Sequence, residues 1–148
     1  MAEWLEHTVQ VEVEYPIDQV WDLWSSLELM PNWMKWIESV KILVDNPEIS
    51  NWELGTSGLS FTWRSRILKQ ITNQLIQWES IDGLPNRGAI RFYRRPTGTI
   101  IKLTVAYALP SIVKQVLDGL SIPKVVESTL QADLERFRTY MDNHAKVS

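Results

Sequence analysis

Cysteine is absent from the 148 residues, and histidine occurs twice, as His7 and His144 at opposite ends of the chain. Thiol nucleophiles, thiolate metal sites, redox pairs and disulfides are thereby excluded, and a histidine-built metal site is not expected. Charge of one sign is also scarce. Lys plus Arg number 15 against 18 Asp plus Glu, a formal net charge of -3, with no Lys/Arg cluster of the kind that phosphate-backbone binding requires. Nucleic acid is therefore not an expected partner. No window approaches the ~20 apolar residues of a membrane span, and residues 1–10 lack a basic stretch followed by an apolar one. Neither a membrane helix nor a secretory signal is expected, and the cytoplasm is the expected compartment. No Ser-His-Asp order, Gly-rich phosphate loop or spaced set of metal ligands occurs. That disfavours a dedicated hydrolase, kinase or dehydrogenase, and no cofactor or metal is expected.

What is present is apolar and aromatic. Hydrophobic residues make up 45% of the chain, enough at this length for one domain, residues 1–148, with a real core. Eight Trp, each able to bury about 150–250 Å², all fall within the first 78 residues: Trp4, Trp21, Trp24, Trp33, Trp36, Trp52, Trp63 and Trp78.

Residues 8–15 alternate strictly, with Val9, Val11, Val13 and Tyr15 on one face, and predict a half-buried strand. Pro16 stands where a helix places its first residue, and Ile17, Val20, Trp21 and Trp24 follow at helical spacing. Pro31 is expected to open a second short helix carrying Trp33, Met34, Trp36 and Ile37. Strands are expected over 39–45, 52–54, 59–71, 73–81, 88–95 and 99–109, punctuated by Asn46-Pro47, Gly55, Gly58, Asp82-Gly83 and Pro96-Thr97-Gly98. Within them Phe61, Trp63, Ser65, Ile67, Lys69 and Ile71 share a face, as do Ile76, Trp78 and Ser80, and Ile101, Leu103, Val105, Tyr107 and Leu109. After Pro110 the period becomes three-and-four. Ile112, Val113, Val116, Leu117 and Leu120 form one apolar stripe; after Pro123 come Val126, Leu130, Leu134, Phe137 and Met141, with Glu127, Gln131, Asp133, Glu135 and Arg138 falling away from it. The chain is expected to end in a long amphipathic helix, interrupted near 119–123.

A sheet with one apolar face and a helix with one apolar stripe must cover each other. A strongly curved sheet around one helix, with bulky residues on its concave side, leaves an elongated cavity.

Four stretches carry a family resemblance: Val20-Trp21-Asp22-Leu23-Trp24; Met30-Pro31-Asn32-Trp33-Met34-Lys35-Trp36-Ile37; the block from Trp78 through Asp82-Gly83-Leu84-Pro85-Asn86-Arg87-Gly88 to Phe92; and Leu130 to Phe137. With these the chain resembles, over essentially its whole length, the START-like helix-grip superfamily of START lipid-transfer domains, polyketide cyclase/dehydrase and lipid transport (SRPBCC) proteins and coenzyme Q-binding proteins. The Trp78 to Phe92 block is the most specific piece. The resemblance implies an α+β helix-grip fold: a curved antiparallel sheet of about seven strands wrapped around a long C-terminal helix, with two short helices after the first strand. It also implies a cavity for something lipophilic. It carries over no reaction, because the superfamily holds carriers, receptors, enzymes and chaperone cofactors.

The expected ligand-binding set is Phe61, Trp63, Ile76, Trp78, Phe92, Leu103, Val105 and Tyr107 from the concave face, Trp33 from the second short helix, and Leu134 and Phe137 from the last helix. Simple core filling is the alternative for the same rings. Trp33 and Trp36, with Met30 and Met34, are either a gate at the cavity mouth or a staple of helix to sheet. Candidates for acid–base chemistry are thin. Glu79 points opposite Trp78, Asp82 belongs to a turn with Gly83, and Lys69 lies at a strand end where snorkelling to water is cheaper. Asn86 and Gly88 read as turn chemistry, and His7 and His144 as lacking local partners. No catalytic residue is assigned. Arg64, Arg66, Arg87, Arg91, Arg94 and Arg95 fall on the convex face, as a basic patch or as a solvated surface balanced by Glu12 and Glu14.

The expected function is binding, with transport or presentation, of a small lipophilic ligand such as a quinone, polyketide, isoprenoid or lipid, with at most transient membrane contact. Two alternatives stay open: a polyketide cyclase/dehydratase-type enzyme, marked by a buried ionisable group in the cavity, and a protein-interaction module on the convex face, marked by a filled interior.

Overall fold

The computed structural model of the chain describes residues 4–111 and 121–144. Its elements are β1 (Trp4–Val13), α1 (Ile17–Trp24), a 3-10 helix (Leu27–Asn32), β2 (Ile37–Ile42), β3 (Ile49–Thr56), β4 (Leu59–Ile71), β5 (Leu75–Gly83), β6 (Asn86–Arg95), β7 (Gly98–Ala108) and α2 (Ile122–His144). All strand pairs are antiparallel in one curled seven-stranded sheet of order β1-β7-β6-β5-β4-β3-β2. Strands β2 to β7 form a meander. β1 joins it beside β7, so α1 and the 3-10 helix carry the chain from one sheet edge to the other. This is the helix-grip α+β fold expected from the sequence. The apolar stripe of Ile112, Val113, Val116, Leu117 and Leu120 lies outside the described residues.

Strand alternation translates directly into burial. Val9, Val11 and Val13 of β1 are buried while Gln10 and Glu12 are exposed. The β3–β4 hairpin turns through Ser57 and Gly58, both at positive φ (53° and 78°), the two-residue turn whose twist matches the strands it joins. Asn73 takes φ 65° and so closes the β4–β5 turn, which is why β5 begins at Leu75 and not at residue 73. The register of β4 against β5 shifts between Ile67 and Lys69. Beyond this bulge the inner and outer faces exchange, and Lys69 is exposed although alternation groups it with Trp63. Gly88 marks a close approach: a Cβ there would stand 2.2 Å from the Thr104 carbonyl oxygen and 2.7 Å from the ring of Trp78, its cross-strand partner.

The second short helix differs from expectation. It is a 3-10 turn that ends before Trp33, and Pro31 lies inside it and does not open it. Proline disfavours an α conformation in the residue before it, so the segment closes with three-residue spacing, Trp33 N–H donating to the Met30 carbonyl at 3.1 Å. Trp33, Met34 and Trp36 then lie in the link to β2, and Ile37 is that strand's first residue.

That link brings Trp33 into a cluster of rings. Trp24 of α1, Trp33 and Phe137 of α2 meet with centroids 4.9–5.6 Å apart, and Tyr140 adds a further contact to Trp33 at 5.1 Å. Phe92 packs edge-on against Trp21 at 5.3 Å, and Leu134 and Phe137 are wholly buried. Asp133 also departs from the expected pattern. Expected on the solvent side of α2, it is 2% exposed, beside Leu134 and one turn from Phe137.

Removing the ring at the centre of the cluster should therefore leave a hole that nothing else can close. Phe137→Ala is expected to lower unfolding free energy by about 3–5 kcal/mol, read as a lower urea midpoint at unchanged slope.

Candidate functional site

The curl of the sheet and the placement of α2 leave a largely apolar cavity of about 250 Å³. Trp52, Phe61, Trp63, Ile76 and Trp78 of β3–β5 form one wall, and Ile90, Leu103, Val105 and Tyr107 of β6–β7 continue it. Val126, Leu130 and Asp133 of α2 face them, and Trp24, Met30, Met34 and Trp36 close the end beneath α1. The exposed lining residues Ser57 and Val125 mark where the space meets solvent.

Two details keep this wall apolar. Trp52 and Trp63 are direct cross-strand partners and stack at 5.8 Å with an 11° interplanar angle, so they present broad hydrocarbon surface as a unit. The indole N–H groups of Trp52 and Trp78 are used within the wall, donating to Ser50 Oγ at 2.8 Å and to Asn86 Oδ1 at 3.2 Å. Asn86 is thus not a turn residue but a buried member of β6. Its backbone N–H donates to Ser80 Oγ at 3.0 Å and its Nδ2 to the Leu84 carbonyl at 2.8 Å. An indole only donates and a carbonyl only accepts, which fixes the orientation of the amide.

Three titratable groups touch this region. His7, expected to lack partners, is buried and lies 3.0 Å through Nε2 from the Tyr107 hydroxyl. Burial pushes the Tyr107 hydroxyl up to about 12 because the phenolate would lose its hydration. Burial likewise raises the Asp133 carboxyl above the ordinary range, opposed by the Lys35 backbone N–H at 3.0 Å and by the Arg136 guanidinium. Arg136 also donates through Nε to the Trp33 carbonyl at 3.0 Å, so Asp133 and Arg136 together pin the link between the 3-10 helix and β2.

Of the residues expected to bind ligand, Phe61, Trp63, Ile76, Trp78, Leu103, Val105 and Tyr107 line the cavity. Trp33, Phe92, Leu134 and Phe137 instead belong to the solid core, where each contacts other core groups. Sequence reasoning misses Asn86, Asp133 and Trp52 as lining residues and His7 as the partner of Tyr107. For His7 a signal is present, since it precedes Val9, Val11 and Val13 in the same alternation. Outside the cavity, Glu79 is exposed, and Asp82 lies within β5, where the Arg64 guanidinium at 2.9 Å holds its carboxyl below the usual range. Arg66, Arg87, Arg91, Arg94 and Arg95 are exposed. No group of three potential metal ligands occurs among the described residues.

Residues 13–136 match the family of polyketide cyclase / dehydrase and lipid transport proteins. Solved structures repeat the fold over nearly all of the chain. A protein of Thermus thermophilus superimposes with a TM-score of 0.80 at 18% identity, covering 96% of this chain and all of that one. A START superfamily protein of Mycobacterium smegmatis gives 0.74 at 14%, covering 93% and 97%. The Zhui aromatase/cyclase of a Streptomyces species gives 0.68 at 18%, covering 99% and 98%.

The raised Asp133 carboxyl has a measurable consequence. Between the ordinary carboxylate value near 4 and its own higher value, the folded chain holds a proton that the unfolded chain has released, so this group's contribution to stability falls as pH rises. The stability excess of wild type over Asp133→Asn should accordingly shrink as pH is raised above the ordinary carboxylate value near 4 in paired urea titrations. An excess growing with pH would mean that Arg136 outweighs burial.

Proposed function

The chain belongs to the polyketide cyclase / dehydrase and lipid transport family, and we propose that within it the chain binds a small lipophilic molecule non-covalently and carries or presents it in the cytoplasm. The observation that supports this is the apolar cavity between sheet and helix, with Trp52, Trp63 and Trp78 on its wall. At about 250 Å³ it lies near the small end of ligand sites, which begin at about 300 Å³. One ring system or one short chain fits this scale, such as a quinone, a polyketide fragment or an isoprenoid, and a two-chain lipid does not. Burying about 300 Å² of apolar ligand surface releases about 7 kcal/mol at ~25 cal/mol per Å². Association costs subtract from that, so micromolar binding is the expected ceiling from burial alone. No helix among the described residues is long and apolar enough to cross a membrane, and the reading needs only transient contact with one. It takes residues 1–148 as a single domain.

A second reading, an acid–base enzyme of cyclase type, is favoured by Asp133, an ionisable group buried on the cavity wall with its proton held more tightly than usual. The aromatase/cyclase with the same fold is consistent with it. Against it, the carboxylate already accepts from Lys35 N–H and Arg136, which is the work of a structural clamp. The enzyme reading requires turnover that Asp133→Asn abolishes; the carrier reading requires none in either protein.

Native mass spectrometry of protein purified from its own source is expected to show a co-purifying lipophile of low mass. Val105→Trp, which places an indole in the cavity, should weaken binding of apolar probes at least tenfold by Trp-fluorescence titration while the protein remains folded. Absence of any bound mass, with unchanged fluorescence in quinone and fatty-acid titrations, would overturn the carrier reading.

A further inference from the structure

The β7 end of the cavity holds a row of polar groups, one hydrogen bond and one 3.5 Å contact, that apolar binding alone does not require. His7, on the inner face of β1, places Nε2 3.0 Å from Tyr107 Oη and Nδ1 3.5 Å from Glu127 Oε1 of α2. The imidazole and phenol rings stack at 5.6 Å. A carboxylate can only accept a hydrogen bond, and a neutral imidazole carries one N–H. With Glu127 beside Nδ1, the proton belongs on Nδ1, and Nε2 is left as a bare acceptor. Tyr107 must then donate its only O–H proton to Nε2.

The phenol's proton is thus used within the wall. Tyr107 lines the cavity, and what its oxygen retains for a guest is lone pairs. Asn86, opposite Tyr107 in the β6–β7 register, already accepts from the Trp78 indole through Oδ1 and donates through Nδ2 to the Leu84 carbonyl. An acceptor facing a dry space gains from a ligand donor and is left unpaired by an ether or a carbonyl.

We infer that the cavity selects lipophiles bearing a hydroxyl, such as phenols, hydroquinones or alcohols, over their ether or carbonyl counterparts, and that Tyr107, oriented by Glu127 through His7, is the group that discriminates. The inference rests on the carrier reading and adds to it the polar feature of the ligand. Tyr107 is the specificity-determining residue, and His7 and Glu127 are positioning residues.

The test is isothermal calorimetry at about pH 8 with 2-naphthol, 2-methoxynaphthalene and naphthalene, probes of similar shape that differ in their hydrogen-bonding group. Wild type is expected to prefer 2-naphthol to its methyl ether by about five- to tenfold, the worth of one neutral hydrogen bond. Tyr107→Phe, which deletes one oxygen, should bring that ratio to about one. Glu127→Gln changes an exposed residue and offers an amide N–H to Nδ1. It lets the imidazole take the other tautomer, frees the Tyr107 proton for the cavity, and should shrink the ratio with Tyr107 intact. A purely structural role for the trio would move affinities for all three probes together and leave the ratio unchanged. Equal binding of naphthol and ether by wild type, or an undiminished ratio in Tyr107→Phe, overturns the inference while the carrier reading stands. If even naphthalene fails to bind, the carrier reading falls and the inference with it.

Discussion

The wedge of aromatic rings between α1, the link to β2 and the middle of α2 is the contact on which the cavity depends. A helix with an apolar stripe would otherwise settle along the concave face until its side chains met those of the sheet. Trp24, Trp33 and Phe137 are among the largest fully buried side chains, and they interlock at 4.9–5.6 Å. Rings of that size resist compression at the density of a protein interior, so they act as a spacer under the second half of the helix. Towards the start of α2, where Val126 and Leu130 face Trp63 and Trp78, no equivalent ring projects from the described part of the helix, and the space stays open. The solid core and the cavity are two parts of one packing arrangement.

The same arrangement governs the polar groups. Buried donors and acceptors have to be paired, and most of those around the cavity are paired within the wall: Trp52 with Ser50, Trp78 with Asn86, Asn86 with Leu84 and Ser80. This self-sufficiency makes the cavity apolar even though Asn, Ser, His and Asp side chains line or adjoin it. Asp133 is the costly member. Desolvation acts against its charge, and the Lys35 N–H and Arg136 recover only part of that loss. What the chain obtains is a fixed path for the segment carrying Trp33, since Arg136 also holds the Trp33 carbonyl. The aromatic spacer and the buried ion pair therefore support one another.

Much of the fold is legible in the sequence because alternation and helical spacing report which side of an element is apolar, and that is enough for β1, β4, β7 and the stripe of α2. The candidate site is legible only in part. Periodicity separates inside from outside, but it does not separate solid from hollow. Leu130 and Phe137 share one stripe of α2, yet Leu130 lines the cavity and Phe137 fills the core, because their different positions along the helix axis set them against different neighbours. Trp33 and Trp36 differ in the same way over three residues. Asp133 escapes the pattern since its burial depends on Lys35 and on Arg136's second bond to Trp33, contacts that no local spacing encodes. Lys69 escapes it through a one-residue bulge, and Asn86 because a residue typical of turns here serves as the hydrogen-bond acceptor of an indole.

Apolar burial is non-directional, so a wall of indoles fixes the class of a guest without fixing its identity. Orientation has to come from the few polar atoms on the lining. Tyr107 of β7 and Asp133 of α2 supply two of them from facing walls, and each is already tied to neighbours, Tyr107 to His7 and Asp133 to the Lys35 N–H and Arg136, so both are held in place before any guest arrives.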